Sequence, residues 1–163
     1  MKKVIIILSL FVSTLTYAQE ATTFILVRHA EKASDGTSDP ALTEEGVDRA
    51  NKILSIFQQS EITSIYSTNY KRTKMTVAPL AEAKKAEILI YDPKNLKEFS
   101  LKLLKDNSGG TVVISGHSNT TPTLANLLLG EEKFKQFDDS DYGNMLIITT
   151  SDNAKAKLLH LRY

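Results

Sequence analysis

At 163 residues, 42% of them hydrophobic and 24% charged, the chain has the size of one globular domain with a sizeable core. A formal net charge of +1 supplies no field to attract nucleic acid or an anionic membrane. Cysteine is absent, which excludes a thiol nucleophile, cysteine-ligated zinc, disulfides and lipidation through cysteine.

The first eighteen residues read as a secretory signal peptide. Met1-Lys2-Lys3 is basic, Val4 to Val12 is apolar apart from Ser9, and Thr16-Tyr17-Ala18 is a small-residue exit, with cleavage expected after Ala18. The apolar run is shorter than the ~20 residues a spanning helix needs, so the mature form is expected free of the membrane. Residues 19–163 are then a single domain, periplasmic or secreted. Without Lys2 and Lys3 it carries 18 basic and 19 acidic residues.

Phe24-Ile25-Leu26-Val27 is a short apolar run that reads as a buried strand, and it runs straight into Arg28 and His29. Ala33 to Ala41 is a polar loop with turn signals at Asp35-Gly36 and Asp39-Pro40. Thr43 is a good N-cap for a helix whose apolar stripe is Val47, Ala50, Ile53, Leu54 and Phe57. Ile62 to Tyr66 is a second strand, and Ser67-Thr68-Asn69 are candidate caps for a helix beginning near Tyr70. Pro79 within that helix predicts a kink or an early end. Glu87 to Tyr91 is a third strand, and Leu96, Phe99 and Leu103 mark the helix that follows. Thr111 to Ser115 is a fourth buried strand, leading to Gly116-His117-Ser118-Asn119. Pro122 suits the first turn of the next helix and Gly130 its exit. Asn144 to Thr150 and Lys155 to Leu161 form a closing hairpin. Alternating strands and helices predict an α/β three-layer sandwich, with a mostly parallel central sheet, helices on both faces and an antiparallel edge.

In such a sheet the ligand crevice lies outside the carboxyl ends of the strands. Three exits carry candidate groups: Arg28 and His29 after the first strand, Arg72 after the second, His117 after the fourth. Two guanidiniums and two imidazoles at one rim suit a phosphoryl group, because arginine offers a charged planar fork and histidine a nucleophile or a donor. Ser118 and Asn119 have two readings, contact with the phosphate or capping of the next helix. Glu31 either orients Arg28 or His29 or is a solvated loop charge. Lys71 and Lys74 are expected on a solvated helix face, and His160 is read as structural.

Val27-Arg28-His29-Ala30-Glu31, Leu42 to Gly46 with Arg49-Ala50, Tyr66 to Thr73, and Val112 to Asn119 together resemble the histidine phosphatase superfamily. Four motifs in order span roughly residues 23–150. The departures are Asn69, where relatives often have proline, and Met75, where they often have glutamine. The long insertion that shapes mutase pockets is also absent, so the chain is similar to the compact phosphatases. The resemblance implies that His29 attacks phosphorus and becomes a phosphohistidine. Arg28, Arg72 and protonated His117 would hold the phosphoryl oxygens, and no metal or cofactor would be needed.

The resemblance also implies a carboxylic acid after the third strand as proton donor to the leaving group. Asp92 and Glu98 fit that region, and Asp92, at the strand's carboxyl end, is the choice; its other reading is an N-cap. The expected activity is hydrolysis of small phosphate monoesters. The alternatives are a protein phosphohistidine phosphatase and a phosphate-ester binding module without turnover. The partner is thus a small phosphorylated substrate, with no nucleic acid and no membrane; the oligomeric state is left open.

Overall fold

The two central strands of the sheet are the two that run directly into a histidine. The computed structural model describes residues 20–151 and 154–163. The signal-peptide reading lies outside those residues, as do Asp152 and Asn153 of the expected turn. Ten elements follow in order: β1 (Thr22–Arg28), α1 (Glu44–Phe57), β2 (Ser64–Ser67), α2 (Lys71–Lys84), β3 (Ile88–Ile90), α3 (Leu96–Asp106), β4 (Thr111–Gly116), α4 (Thr120–Leu129), β5 (Asn144–Ser151) and β6 (Ala154–Arg162). The sheet order is β3-β2-β4-β1-β5-β6, with the first four strands parallel and β5 and β6 antiparallel. This is the expected architecture, and it makes the exits of β2, β4 and β1 contiguous.

Side chains along a strand alternate between faces, so β1 feeds two cores. Phe24 and Leu26 join Val112 and Ile114 beneath α3 and α4, which contribute Phe99, Leu103, Leu124 and Leu128. Ile25 and Val27 join Ile65, Val113 and Met145 beneath α1 and α2, which contribute Ile53, Phe57, Val77 and Leu80. Burying such side chains stabilises by roughly 1.5–3 kcal/mol each, which fixes β1 from both sides and makes it a rigid carrier for Arg28.

Three local expectations are corrected. Val47 is exposed, because the buried stripe of α1 is narrower than its apolar spacing and runs through Ala50, Ile53 and Phe57. Pro79 does not end α2, which continues to Lys84 and closes on Lys85 in the left-handed conformation. Val77, Leu80 and Ala81 pack this stretch against the sheet and outweigh the missing backbone donor. The Ser67-Thr68-Asn69 segment does not cap α2. The N-cap is Tyr70 without a side-chain bond, and the Lys71 N–H donates instead to the Asp39 carboxylate at 2.9 and 3.1 Å.

Candidate active site

Arg28, His29, Arg72 and His117 line one open cavity of about 710 Å³, together with Lys32, Tyr70, Lys94, Ser118, Asn119, Gln136, Asp139 and Tyr142 among others. The backbone brings them there. The His29 N–H donates to the Gly116 carbonyl at 2.9 Å, extending the β1–β4 ladder one step past the strand ends. The Ala30 N–H donates to Thr76 Oγ1, which itself donates to the Arg72 carbonyl at 2.7 Å, so the loop after β1 is tied to the first turns of α2. Gly116 permits the close turn into His117: a Cβ there would stand 2.8–2.9 Å from the hydroxyls of Thr121, Thr120 and Tyr91.

Arg28 is almost wholly buried. Its Nη1 donates to the carbonyls of Asp138 (2.7 Å) and Asp141 (3.1 Å), and its Nη2 donates to that of Asp139 (3.0 Å). The guanidinium carbon lies 4.1 Å from the centroid of the Tyr142 ring. Arg72 sits likewise over Tyr70 at 4.5 Å, with Asp39 at 3.5 Å from its Nη1. In both arginines Nε is buried and has no partner among the described residues. Leaving a buried charged donor unpaired is costly, and both of these belong to guanidiniums of residues that line the cavity.

The tautomers of both histidines follow from their neighbours. Nδ1 of His29 lies 2.9 Å from the Ala30 carbonyl, which only accepts, so Nδ1 carries the proton and Nε2 the lone pair. Burial, followed by the charges of Arg28, His117 and Arg72, lowers the His29 pKa to about 3 against the pull of that carbonyl. His29 is therefore a neutral base with Nε2 available, which is the form a nucleophile needs. For His117, Nε2 lies 3.0 Å from Thr68 Oγ1, which in turn lies 2.9 Å from Thr73 Oγ1. The single Thr73 proton is taken by the carbonyl of Thr68 or Tyr70, both at 3.0 Å. Thr68 must then donate to Thr73 and accept from His117 Nε2–H, which puts the lone pair on Nδ1. Burial and the charges of Arg72 and Arg28 lower the His117 pKa to about 4, so the expected protonated His117 is neutral in the free protein.

Ser118 and Asn119 both line the cavity, and neither caps α4 through its side chain. Ser118 Oγ donates to the Asp139 carboxylate at 3.2 Å, and the Thr120 hydroxyl accepts the His117 N–H at 2.9 Å. Glu31 orients neither Arg28 nor His29. It accepts from Arg49 Nε and Nη2 at 2.6–2.9 Å. Burial works to raise the Glu31 pKa, but the Arg49 bonds and charge outweigh it and leave the carboxyl below its usual range.

Asp92 is not brought to this cavity, although Pro93 and Lys94 are. Its carboxylate accepts from the Lys94 N–H (2.9 Å) and Asn95 Nδ2 (2.8 Å), which closes a turn. With Glu98 it lines a separate hollow beside Tyr66 and Phe99. The cap reading does not hold, because the N-cap of α3 is Asn95. As for the donor reading, Asp92 also lines a hollow that shares Tyr70, Pro93 and Lys94 with the cavity. His160 bonds Asn144 Oδ1 at 2.8 Å, away from the cavity. Sequence reasoning missed Thr68, Tyr70, Asp139 and Tyr142. Thr68 and Tyr70 adjoin the second arginine motif and could have been singled out; nothing in the sequence marks the other two.

Residues 24–104 match the histidine phosphatase superfamily (branch 1). The chain is 36% identical over 74 residues to phosphoserine phosphatase 1 of Hydrogenobacter thermophilus, an overlap of 42% of this chain and 35% of that protein, so it spans about a third of that relative's length. The fold is similar to that of phosphoserine phosphatase from Entamoeba histolytica bound to 3-phosphoglyceric acid, with a TM-score of 0.69 and 17% identity over 87% of this chain and 97% of that one. It is also similar to the protein histidine phosphatase SixA in complex with tungstate, with a TM-score of 0.68 and 14% identity over 86% and 96% of the two chains.

Proposed function

Because the chain belongs to the histidine phosphatase superfamily, we propose that it hydrolyses small phosphate monoesters through a phosphohistidine on His29. One observation carries the reading: a neutral histidine with a free Nε2 shares a cavity with two arginines whose buried Nε donors have no partner. The two guanidinium charges suit a phosphoryl group. Nε2 attacks phosphorus, the N–P bond forms as the ester P–O bond breaks, and the leaving oxygen takes a proton. Water then attacks phosphorus, the N–P bond breaks, and inorganic phosphate leaves. Arg28, Arg72 and His117 stabilise the equatorial oxygens in both steps, with Ser118 and Asn119 at the rim.

The test is rapid mixing with 4-nitrophenyl phosphate, a quench that avoids acid, and peptide mass spectrometry. An acid-labile phosphate on His29 is expected, together with loss of turnover in His29→Ala. Phosphate found only on His117, or an active His29→Ala, overturns the assignment. The amino-terminal reading puts this activity in a periplasm or outside the cell; cell fractionation with sequencing of the mature amino terminus tests it.

A further inference from the structure

The leaving oxygen needs a proton, and the residue expected to supply it lies outside the cavity. We propose that Asp139 gives the leaving oxygen its proton and then takes one from the attacking water. The proposal rests on the phosphatase reading above.

Among the described residues lining the cavity, Asp139 is the one carboxyl group. The other groups are committed or unsuited. His29 Nδ1–H is held by the Ala30 carbonyl, and Nε2 bonds to phosphorus. His117 Nε2–H is held by Thr68, and its Nδ1 is committed to an equatorial phosphoryl oxygen in both steps. Lysine and tyrosine give up a proton only near pH 10, so they cannot act as the base in the second step. A carboxyl group serves in both steps.

The loop that carries Asp139 holds it in place. Its carbonyl accepts from Arg28 Nη2 at 3.0 Å, and its carboxylate Oδ1 accepts from Ser118 Oγ at 3.2 Å and stands 3.7 Å from Arg28 Nη2. Oδ2 has no partner among the described residues. The neighbouring acids are spent on structure: Asp138 accepts from Ser140, while Asp141 accepts from Arg162 and Asn144. The Asp139 side chain is 88% exposed and open to solvent.

An incoming phosphoryl dianion raises the proton affinity of a carboxylate beside it. In the first step the His29 Nε2–P bond forms, the ester P–O bond breaks, and the Asp139 proton passes to the departing oxygen. In the second, the water oxygen bonds to phosphorus, its proton passes to the Asp139 carboxylate, and the N–P bond breaks. The acid form is restored and the proton count balances.

The experiment compares Asp139→Asn with the unaltered protein on alkyl phosphates and on 4-nitrophenyl phosphate, whose leaving group needs no proton. For alkyl esters kcat/KM is expected to fall ~100-fold or more, and for the aryl ester by less than about three-fold. The aryl ester should also show a burst, with phosphohistidine accumulating because its hydrolysis lacks a base. Asp139→Glu should recover part of the alkyl activity, and Asp92→Asn should show no selective loss. Equal slowing of both classes means that Asp139 only steadies Arg28, and overturns the proposal. So does an unchanged alkyl rate, or an alkyl-selective loss in Asp92→Asn. An unaltered protein inactive on the aryl ester, or an active His29→Ala, removes the phosphatase reading itself and this proposal with it.

Discussion

The Arg28 guanidinium lies 4.1 Å from the centre of the Tyr142 ring, and the same ring is 5.9 Å from that of His29. One tyrosine thus backs both residues of the first strand exit. Tyr70 repeats the arrangement, with Arg72 at 4.5 Å and the His117 ring at 5.1 Å. A cation held over an aromatic face gains ~0.5–1 kcal/mol at exposed sites and more when desolvated. Tyr142→Ala is expected to weaken inhibition by inorganic phosphate by about three- to ten-fold, while Tyr142→Phe keeps it, since the ring face does the work. Inhibition constants for the two variants check this.

Binding of phosphate should take up protons. Free His117 is neutral with its lone pair on Nδ1, so it becomes a second donor only after gaining a proton, and an anion in the cavity reverses the charge effects that now oppose this. Titration calorimetry at pH 7 with sulfate, an analogue that carries no titrating proton there, in two buffers of different ionisation enthalpy should give different apparent heats. The difference should vanish in His117→Asn. Identical heats in the unaltered protein would mean that His117 stays neutral.

Removing the Thr68 hydroxyl releases His117 Nε2. Thr68→Val should lower kcat by about ten-fold with KM little changed, and Thr68→Ser should restore it. Loss of thermal stability without loss of kcat would make the bond structural only.

Both cavity histidines make stability depend on pH. Each has a folded pKa below its ordinary 6.5, about 3 for His29 and about 4 for His117. Between those limits the unfolded chain binds protons that the native state refuses, so stability is fully present above pH 6.5 and falls as pH drops toward 4. Tm should decline across that window, and the decline should be shallower in His117→Asn. Glu31 acts at a lower pH: its carboxyl is held below the usual range, so its contribution is lost only below about pH 4.5.

Catalysis should survive exhaustive chelation, because Arg28 and Arg72 already supply the positive charge that a metal would otherwise bring to the phosphoryl oxygens. A chelator that abolishes turnover, with one metal restoring it, would overturn this. Tungstate or vanadate should inhibit.

What could be read from the chain was whatever its strands carry. Phe24 to Val27 announces a buried strand, and the residue after such a strand is aimed at the rim before any tertiary contact is known. Arg28, His29 and His117 were legible for that reason. Asp92 does not cap α3, because β3 is only three residues long and sits at the sheet edge, where the chain turns at once into the bend closed by Asp92 itself. Asp139 and Tyr142 come from an irregular connection 110 or more positions from Arg28, with no periodicity to announce them. The Glu31–Arg49 pair joins a loop to a helix face, and only the folded register reveals it.

The three backbone carbonyls around Arg28 constrain how this chain can diverge. The connection from Gly130 to Gly143 supplies the rim residues Gln136, Asp139 and Tyr142, so it is the natural place for selection to alter substrate range. Its first half is anchored by Asn126, whose side chain bonds the backbone of Lys133 and Phe134, and by Phe134 and Phe137 packed against the core. Its second half is tied more directly to the site, because the carbonyls of Asp138, Asp139 and Asp141 grip both terminal nitrogens of Arg28, the residue proposed to hold the phosphate. An insertion there would reach the reaction centre through Arg28. Descendants of this chain should therefore keep a constant spacing from Asp138 to Tyr142.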